Sequence, residues 1–424
     1  MDRLERVAVS GGVRAALLAL AAGDLSRPVP WKSADPGELL AALSREGLIG
    51  LAYRYAHESP HAGAVPPAVV ERLREAHLAI SVRLAVSCHV MGTVLRTLER
   101  SATPFLVVKG PAVARALYPS PWLRAFGDVD IIVHQRDWQA VEELVVRMGF
   151  APDRDARVPM PPLSGADVLY ERTYRHPSRL ALDVHYDDIL NCGLATRDVD
   201  GFWQRARSID IEGLPVRTLA PADQLIHLCA HAHYHGYTRL IWLSDLAFLV
   251  RDHADELDWA QVIRTVRGEE ARVPVYYTLR LLDAMLGVTV PAEVLAQARP
   301  DRFRRTVHER LIPERELLAL QPMWRPDLSF YFLPLLKRLV PDLLVMGRRR
   351  DKLGYLARML VPPGPWLRRY YSLPPSSPVW PQHILHPLKL AYHYASEIVT
   401  AARLGRLRLD EDDLPYLRRA RVLG

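Results

Sequence analysis

Apolar positions recur at helical spacing through the first hundred residues: in RAALLALAAG from Arg14, in PGELLAALSREGLIGLAYRYA from Pro36, and from Pro66 to Ser101. The pattern changes at Pro104. Phe105–Val108 is a short, unbroken run of β-formers, followed by Lys109-Gly110-Pro111 and then by AVARALY at helical period. This reads as strand, tight turn and helix, with Gly110 permitting the turn and Pro111 suited to the first helical position. After PSPWLRAFG comes the strand DVDIIV, then a helix from about Asp137 to Met148 with Gly149 as its stop. Strands are expected at 168–175 and 179–186, the latter alternating Leu180, Leu182 and Val184 against Ala181, Asp183 and His185. From Pro221 onward the patterns are helical: DQLIHLCAHAHYH, RLIWLSDLAFLVRD and DWAQVIRTVRGEE, then further helices punctuated by prolines. VPPGPW and SLPPSSPVWPQ read as ordered turns or extended connectors, because aromatic residues are interleaved.

These elements predict an α+β protein. A small mixed sheet, over 101–217, is embedded between an N-terminal helical region, 1–100, and a large C-terminal helical domain, 218–424, with a cleft between them. Composition agrees with a soluble chain, 49% hydrophobic and 24% charged, and no unbroken apolar run reaches the roughly 20 residues that span a bilayer. A transmembrane helix and a cleaved leader are not expected. Cys88, Cys192 and Cys229 lie far apart without a CxxC pair, which argues against a disulfide framework or zinc ribbon and fits a reducing cytoplasm. The net charge of +7 is modest, but Lys337 to Arg369 concentrates nine basic residues against Asp342 and Asp351. That segment suits RNA or another anionic partner, although a solvated helix face is the simpler reading. Only five of the 55 basic residues are lysine, which singles out Lys109 at the end of an apolar strand.

Asp128 and Asp130 alternate on one strand, so both carboxylates leave the same face about 7 Å apart at the backbone. Asp183 supplies a third acid on a second strand with the same alternation. Such a face needs counter-charge, either from a salt bridge to Lys109 or Arg124 or from divalent cations, Mg2+ or Mn2+. Two cations would serve nucleotidyl transfer, neutralising a triphosphate and aligning an acceptor hydroxyl. In that scheme Asp128, Asp130 and Asp183 are metal ligands and catalytic residues, and Asp183 also takes the acceptor's proton. Lys109 and Gly110, beside free helix-terminal amides, would meet the phosphates. Arg124 would close over the site, either binding phosphate bidentately or pairing with an acid. His185 shares the Asp183 face and would orient substrate or a metal-bound water, unless it is a structural histidine.

The stretch PFLVVKGPAVARALYPSPWLRAFGDVDIIVHQRDWQAVEELVVRMGF, 104–150, with the later Asp183-Val184-His185, resembles the uncharacterised nucleotidyltransferase family (nucleotidyltransferase 5) of the DNA polymerase β-like superfamily. The resemblance implies that superfamily's fold and transfer of a nucleoside monophosphate, with AMP from the abundant ATP expected. The acceptor would be a hydroxyl on a small molecule, a peptide or protein, or an RNA end. One departure stands out: most members carry Gly-Gly or Gly-Ser where this chain has Lys109-Gly110-Pro111, so a serine hydroxyl and one amide donor are missing. A non-catalytic module that binds nucleotide or RNA is therefore the alternative. His227 and His231, at i,i+4 and followed by His233 and His235, raise a zinc hydrolase, but HLCAH lacks the glutamate of HExxH. Arg239, Trp242 and Asp245 read as helix-packing and ion-pair residues that could border the acceptor pocket.

Overall fold

In the computed structural model, β1 (Phe105–Val108), β2 (Asp128–Val133), β3 (Ala151–Pro152), β4 (Glu171–Arg175) and β5 (Ala181–Tyr186) form one mixed sheet in the order β1-β2-β5-β4-β3. The structure describes residues 9–153, 171–190, 198–268, 271–311, 317, 343–346, 349–371, 373–374 and 376–404. Residues 168–170, the start of an expected strand, lie outside these, as do Cys192, Lys337, Arg338 and Arg348.

β2 and β5 are parallel, while β1–β2, β4–β5 and β3–β4 are antiparallel. A parallel pair needs a long crossover, and here the chain runs through α6 (Trp138–Arg147), β3 and β4 before returning. The β2–β5 register places Asp128 opposite Ala181, Asp130 opposite Asp183 and Ile132 opposite His185. With a side-chain period of two, these residues share one face. The other face carries Val129, Ile131, Val133, Leu182 and Val184, which pack with Met91, Leu95 and Leu98 of α4 (Pro67–Arg100) and Val141 and Val145 of α6. The alternation seen in the sequence thus separates a packed apolar face from a face bearing the acids.

α4 bears on the expected absence of a membrane span. Over 18 residues its mean hydropathy is 1.7, so it is long and apolar enough to cross a membrane, with 28% of that window buried. Ser81, Arg83 and Ser87 interrupt its apolar positions, so it contains no unbroken apolar run of that length. The N-terminal part of the helix packs on α3 (Ile49–Glu58) and its C-terminal part on the sheet.

The stretch 36–56 is two helices. α2 (Pro36–Glu46) starts where the Asp35 carboxylate accepts from Glu38 N at 2.8 Å and ends at Gly47, left-handed at φ 77°. α1 (Gly11–Ala21), α2 and α3 share one core with α8 (Pro221–Tyr234), α9 (Leu240–Asp252) and α11 (Arg272–Leu286), in which Leu17, Leu20 and Leu43 join Leu225, Leu246, Phe248 and Leu282. Each such side chain contributes about 1.5–3 kcal/mol relative to exposure. Leu106, Val108 and Ile132, on the acid-bearing face, belong to the same core. Helical segments therefore roof that face where it is apolar and leave the acids at one end of β2. The hairpin β6 (Arg207–Ile211) and β7 (Leu214–Thr218), turned by Glu212 and Gly213 at φ 53° and 75°, packs beside β1 and was not expected from the sequence. Beyond α11, helices Ala292–Ala298, Arg302–Leu311, Arg349–Leu360, Gly364–Tyr370 and Trp380–Leu404 follow, the last with Pro387 inside it.

Candidate active site

The turn after β1 is made by Lys109, at φ 50° and ψ −135°. Gly110, expected to supply that freedom, serves differently. A Cβ at Gly110 would lie 2.9 Å from the Phe126 Cβ and 3.2 Å from the Asp128 carbonyl oxygen, so its bareness lets the start of α5 (Gly110–Leu117) press against the start of β2. A left-handed lysine costs on the order of 1–3 kcal/mol and persists only when its surroundings hold it. The Lys109 carbonyl accepts from Val113 N at 2.7 Å, and its ammonium lies 2.6 Å from Asp130 Oδ1. Burial opposes the charge, but Asp130, Glu171 and Asp183 outweigh it and raise the lysine pKa.

Of the three carboxylates on this face, one is held charged and two are pushed toward neutrality. Asp130 Oδ1 accepts from both Lys109 Nζ and His185 Nε2, the latter at 3.0 Å; despite burial, these neighbours hold its carboxyl well below the usual range. Asp128 is raised by burial and by Asp130. Asp183 is raised to about 7, by burial first and then by Asp130, Glu171 and Asp128, and its buried Oδ1 has no hydrogen-bond partner. The face holds more acid than one lysine can neutralise. His185, with Nε2 donating to Asp130, keeps a buried Nδ1 without a partner. Glu171 was missed. It lies opposite His185 in the β4–β5 register, hence on the same face, and the parity shared by Glu171 and Thr173 was the available signal.

On the Asp128 flank the structure resolves Arg124. Its Nε and Nη2 lie 3.2 and 2.8 Å from the Asp245 carboxylate, Nη1 donates to the Ala125 carbonyl at 3.1 Å, and Tyr118 donates to Asp245 Oδ1 at 2.7 Å. The guanidinium fork is thus held by an acid of α9, outside the predicted triad, so of the two roles expected from the sequence the structure shows the pairing with an acid. Asp245 anchors the loop carrying Arg124 next to Asp128. Arg239, at the N-terminal end of α9, lies within electrostatic reach of Arg124 and Asp128.

A family model described as uncharacterised nucleotidyltransferase matches residues 32–287, well over half of the 424. The chain belongs to this nucleotidyltransferase family. The match takes in α2 through α11 and so both the acid face and the helices that roof it. The solution structure of the antibiotic-resistance factor ANT(2'')-Ia, described as revealing substrate-regulated conformation dynamics, is similar to the chain at 12% identity over 46% of this chain and 93% of that one, with a TM-score of 0.31. No curated protein matches.

Members of a nucleotidyltransferase family act on a nucleotide substrate and typically with divalent metals, and the acids fit a hard cation in their chemistry. All three donors are carboxylate oxygens, the type such ions take, and the orphaned Asp183 Oδ1 is one that a cation would satisfy. The side chains are not already drawn together, since among the described residues no group of three His, Cys, Asp or Glu is disposed to hold a metal. Lys109 instead covers Asp130. The histidines of α8 are engaged elsewhere in this nucleotidyltransferase. His227 Nδ1 is 2.6 Å from the Ile189 carbonyl, His231 and His235 pack around Trp242, and His233 meets His308 at 3.1 Å, so the zinc alternative finds no ligand set among the described residues.

Proposed function

We propose that this protein transfers a nucleoside monophosphate, AMP from ATP, to a hydroxyl of a small molecule, a peptide or protein, or an RNA end. The observation that carries this reading is the Asp130–Asp183 register, which sets the carboxylates of β2 and β5 side by side on one face with Asp128 two residues away. The acceptor oxygen forms a bond to the α-phosphorus, the bond to the β-phosphate bridging oxygen breaks, and pyrophosphate leaves. Mg2+ or Mn2+, held by Asp128, Asp130 and Asp183, would supply counter-charge for the phosphates when bound. Lys109, as a point charge at the start of α5, meets the β- or γ-phosphate, and Asp183 receives the acceptor's proton. His185 fixes the orientation of Asp130 through its Nε2 hydrogen bond.

Calorimetric titration with each NTP, with and without magnesium, tests this on the native protein and on Asp128→Asn. Magnesium-dependent binding of one NTP that is absent from the variant is the expected result. No NTP binding to the native protein would sink it. One observation favours a second reading: Lys109, Asp130 and His185 already satisfy each other without a metal, as a nucleotide- or RNA-binding module without catalysis would require. In that case Asp128→Asn leaves nucleotide binding intact. An RNA contact through the basic segment, of which Arg349 and Arg350 are exposed, would weaken steeply with salt.

A further inference from the structure

Two guanidinium groups flank Asp128, and they are in opposite states. Arg124 is saturated by Asp245, the Ala125 carbonyl and the aid of Tyr118. The Arg239 side chain makes no hydrogen bond or ion pair with any described residue, and its Nε is buried without a partner. A half-buried charge left in this way costs free energy, and a specific unsatisfied group in a native structure calls for a cause.

Among the described residues none serves as its partner. The acids within electrostatic reach of Arg239 are Glu46, Asp128 and Asp245. Glu46 Oε2 accepts from Leu240 N at 2.9 Å, Asp245 is held by Arg124, and Asp128 is one of the proposed cation ligands. Burial and then the neighbouring Arg124 both act against the Arg239 charge and lower its pKa. The group is nevertheless well placed. A Cβ at Gly47 would come 3.1 Å from Arg239 Nη2, so the glycine that ends α2 also leaves room for the guanidinium to lie against the backbone. An arginine fixed by packing, with its fork unspent and a second cation beside it, suits an incoming polyanion.

We propose that Arg239 is an oligophosphate-binding residue of this site, joining Lys109 on the β- and γ-phosphates of the donor nucleotide while Arg124 stays with Asp245. The assignment of those phosphates to a donor rests on the nucleotidyl-transfer reading; the anion site itself does not. Free pyrophosphate or tripolyphosphate presents the same chemistry, and the test separates the two sources.

Inorganic tripolyphosphate, ATP and AMP are titrated without divalent cation into the native protein, Arg239→Gln and Arg239→Lys, and ATP again with magnesium. The native protein binds tripolyphosphate and ATP. Arg239→Gln weakens both by about tenfold or more, the scale of losing one charge-assisted pair, and leaves AMP unchanged. Arg239→Lys, which keeps the charge and loses the fork, falls between them and also guards against a folding defect in the glutamine variant. Equal tripolyphosphate affinity in all three proteins, or none in the native one, overturns the proposal. If tripolyphosphate binding depends on Arg239 while magnesium and Asp128 have no influence on ATP, the anion site stands and nucleotidyl transfer falls. If magnesium-dependent ATP binding survives unchanged in Arg239→Gln, nucleotidyl transfer stands and this proposal falls.

Discussion

Two cation–carboxylate pairs buried among the described residues differ in what surrounds them. Arg124–Asp245 is closed: the fork meets both carboxylate oxygens, Tyr118 adds a third donor, and Asp245 is fully buried. Lys109–Asp130 is open at its edge. One oxygen of Asp130 serves both Lys109 and His185, the lysine sits in a left-handed conformation, and two neighbouring acids are pushed toward neutrality by the same crowding. The first pair is built to stay as it is, while the second can be rearranged, because Asp128 and Asp183 stand ready to exchange protons or cations with it.

Removing the acid from each pair gives the sharpest contrast. Asp130→Asn should bring turnover to background while costing little stability, because Asp183 can ionise beside Lys109 and replace the lost charge. Asp245→Asn should do the reverse, destabilising the fold by about 3–5 kcal/mol by leaving Arg124 buried and uncompensated. Urea unfolding and turnover measured on both variants check this, and equal stability losses would erase the distinction. Lys109→Ala is a smaller perturbation. It should weaken triphosphate use more than monophosphate binding, and equal effects on both would take Lys109 away from the leaving pyrophosphate.

The smallest effect concerns pH. Burial lowers His227 to about 3, His233 to about 4 and His308 to about 2, against 6.5 for an unperturbed histidine. Between 6.5 and these values the unfolded chain binds more protons than the folded one, so this contribution is full above pH 6.5 and is lost as pH falls through 4. The urea midpoint should therefore drop from pH 7 to pH 5, and His233→Gln should flatten that slope. An unchanged slope in the variant would show that other groups set the acid limit.

Much of this was legible in the chain. Strand alternation placed Asp128, Asp130 and Asp183 on one face because period two is a local property, and the scarcity of lysine singled out Lys109. Local patterns also gave α6 and its stop at Gly149, whose φ is 89°. What stayed hidden depended on distance or torsion. Asp245 and Arg239 both read as ion-pair residues, but the partner of Asp245 sits 121 residues away at Arg124, and Arg239 has none among the described residues, neither of which a sequence displays. Lys109 and Gly110 exchanged roles because a sequence does not say which residue of a turn takes the positive φ. Glu171 escaped because the parity of its strand has meaning only once that strand is paired with the Asp183 strand, and that register is set across the sheet.

The shared core of α1–α3 with α8, α9 and α11 has a consequence for synthesis. About 165 residues separate Ala56 from Pro221, so at ~5–20 residues per second the first helices leave the ribosome on the order of ten seconds or more before their partners exist. During that interval Leu17, Leu20, Leu39 and Leu43 have only the neighbouring N-terminal helices to pack on. The nascent chain therefore carries part of that apolar surface exposed until α11 emerges, which makes the yield of folded protein sensitive to the pace of translation.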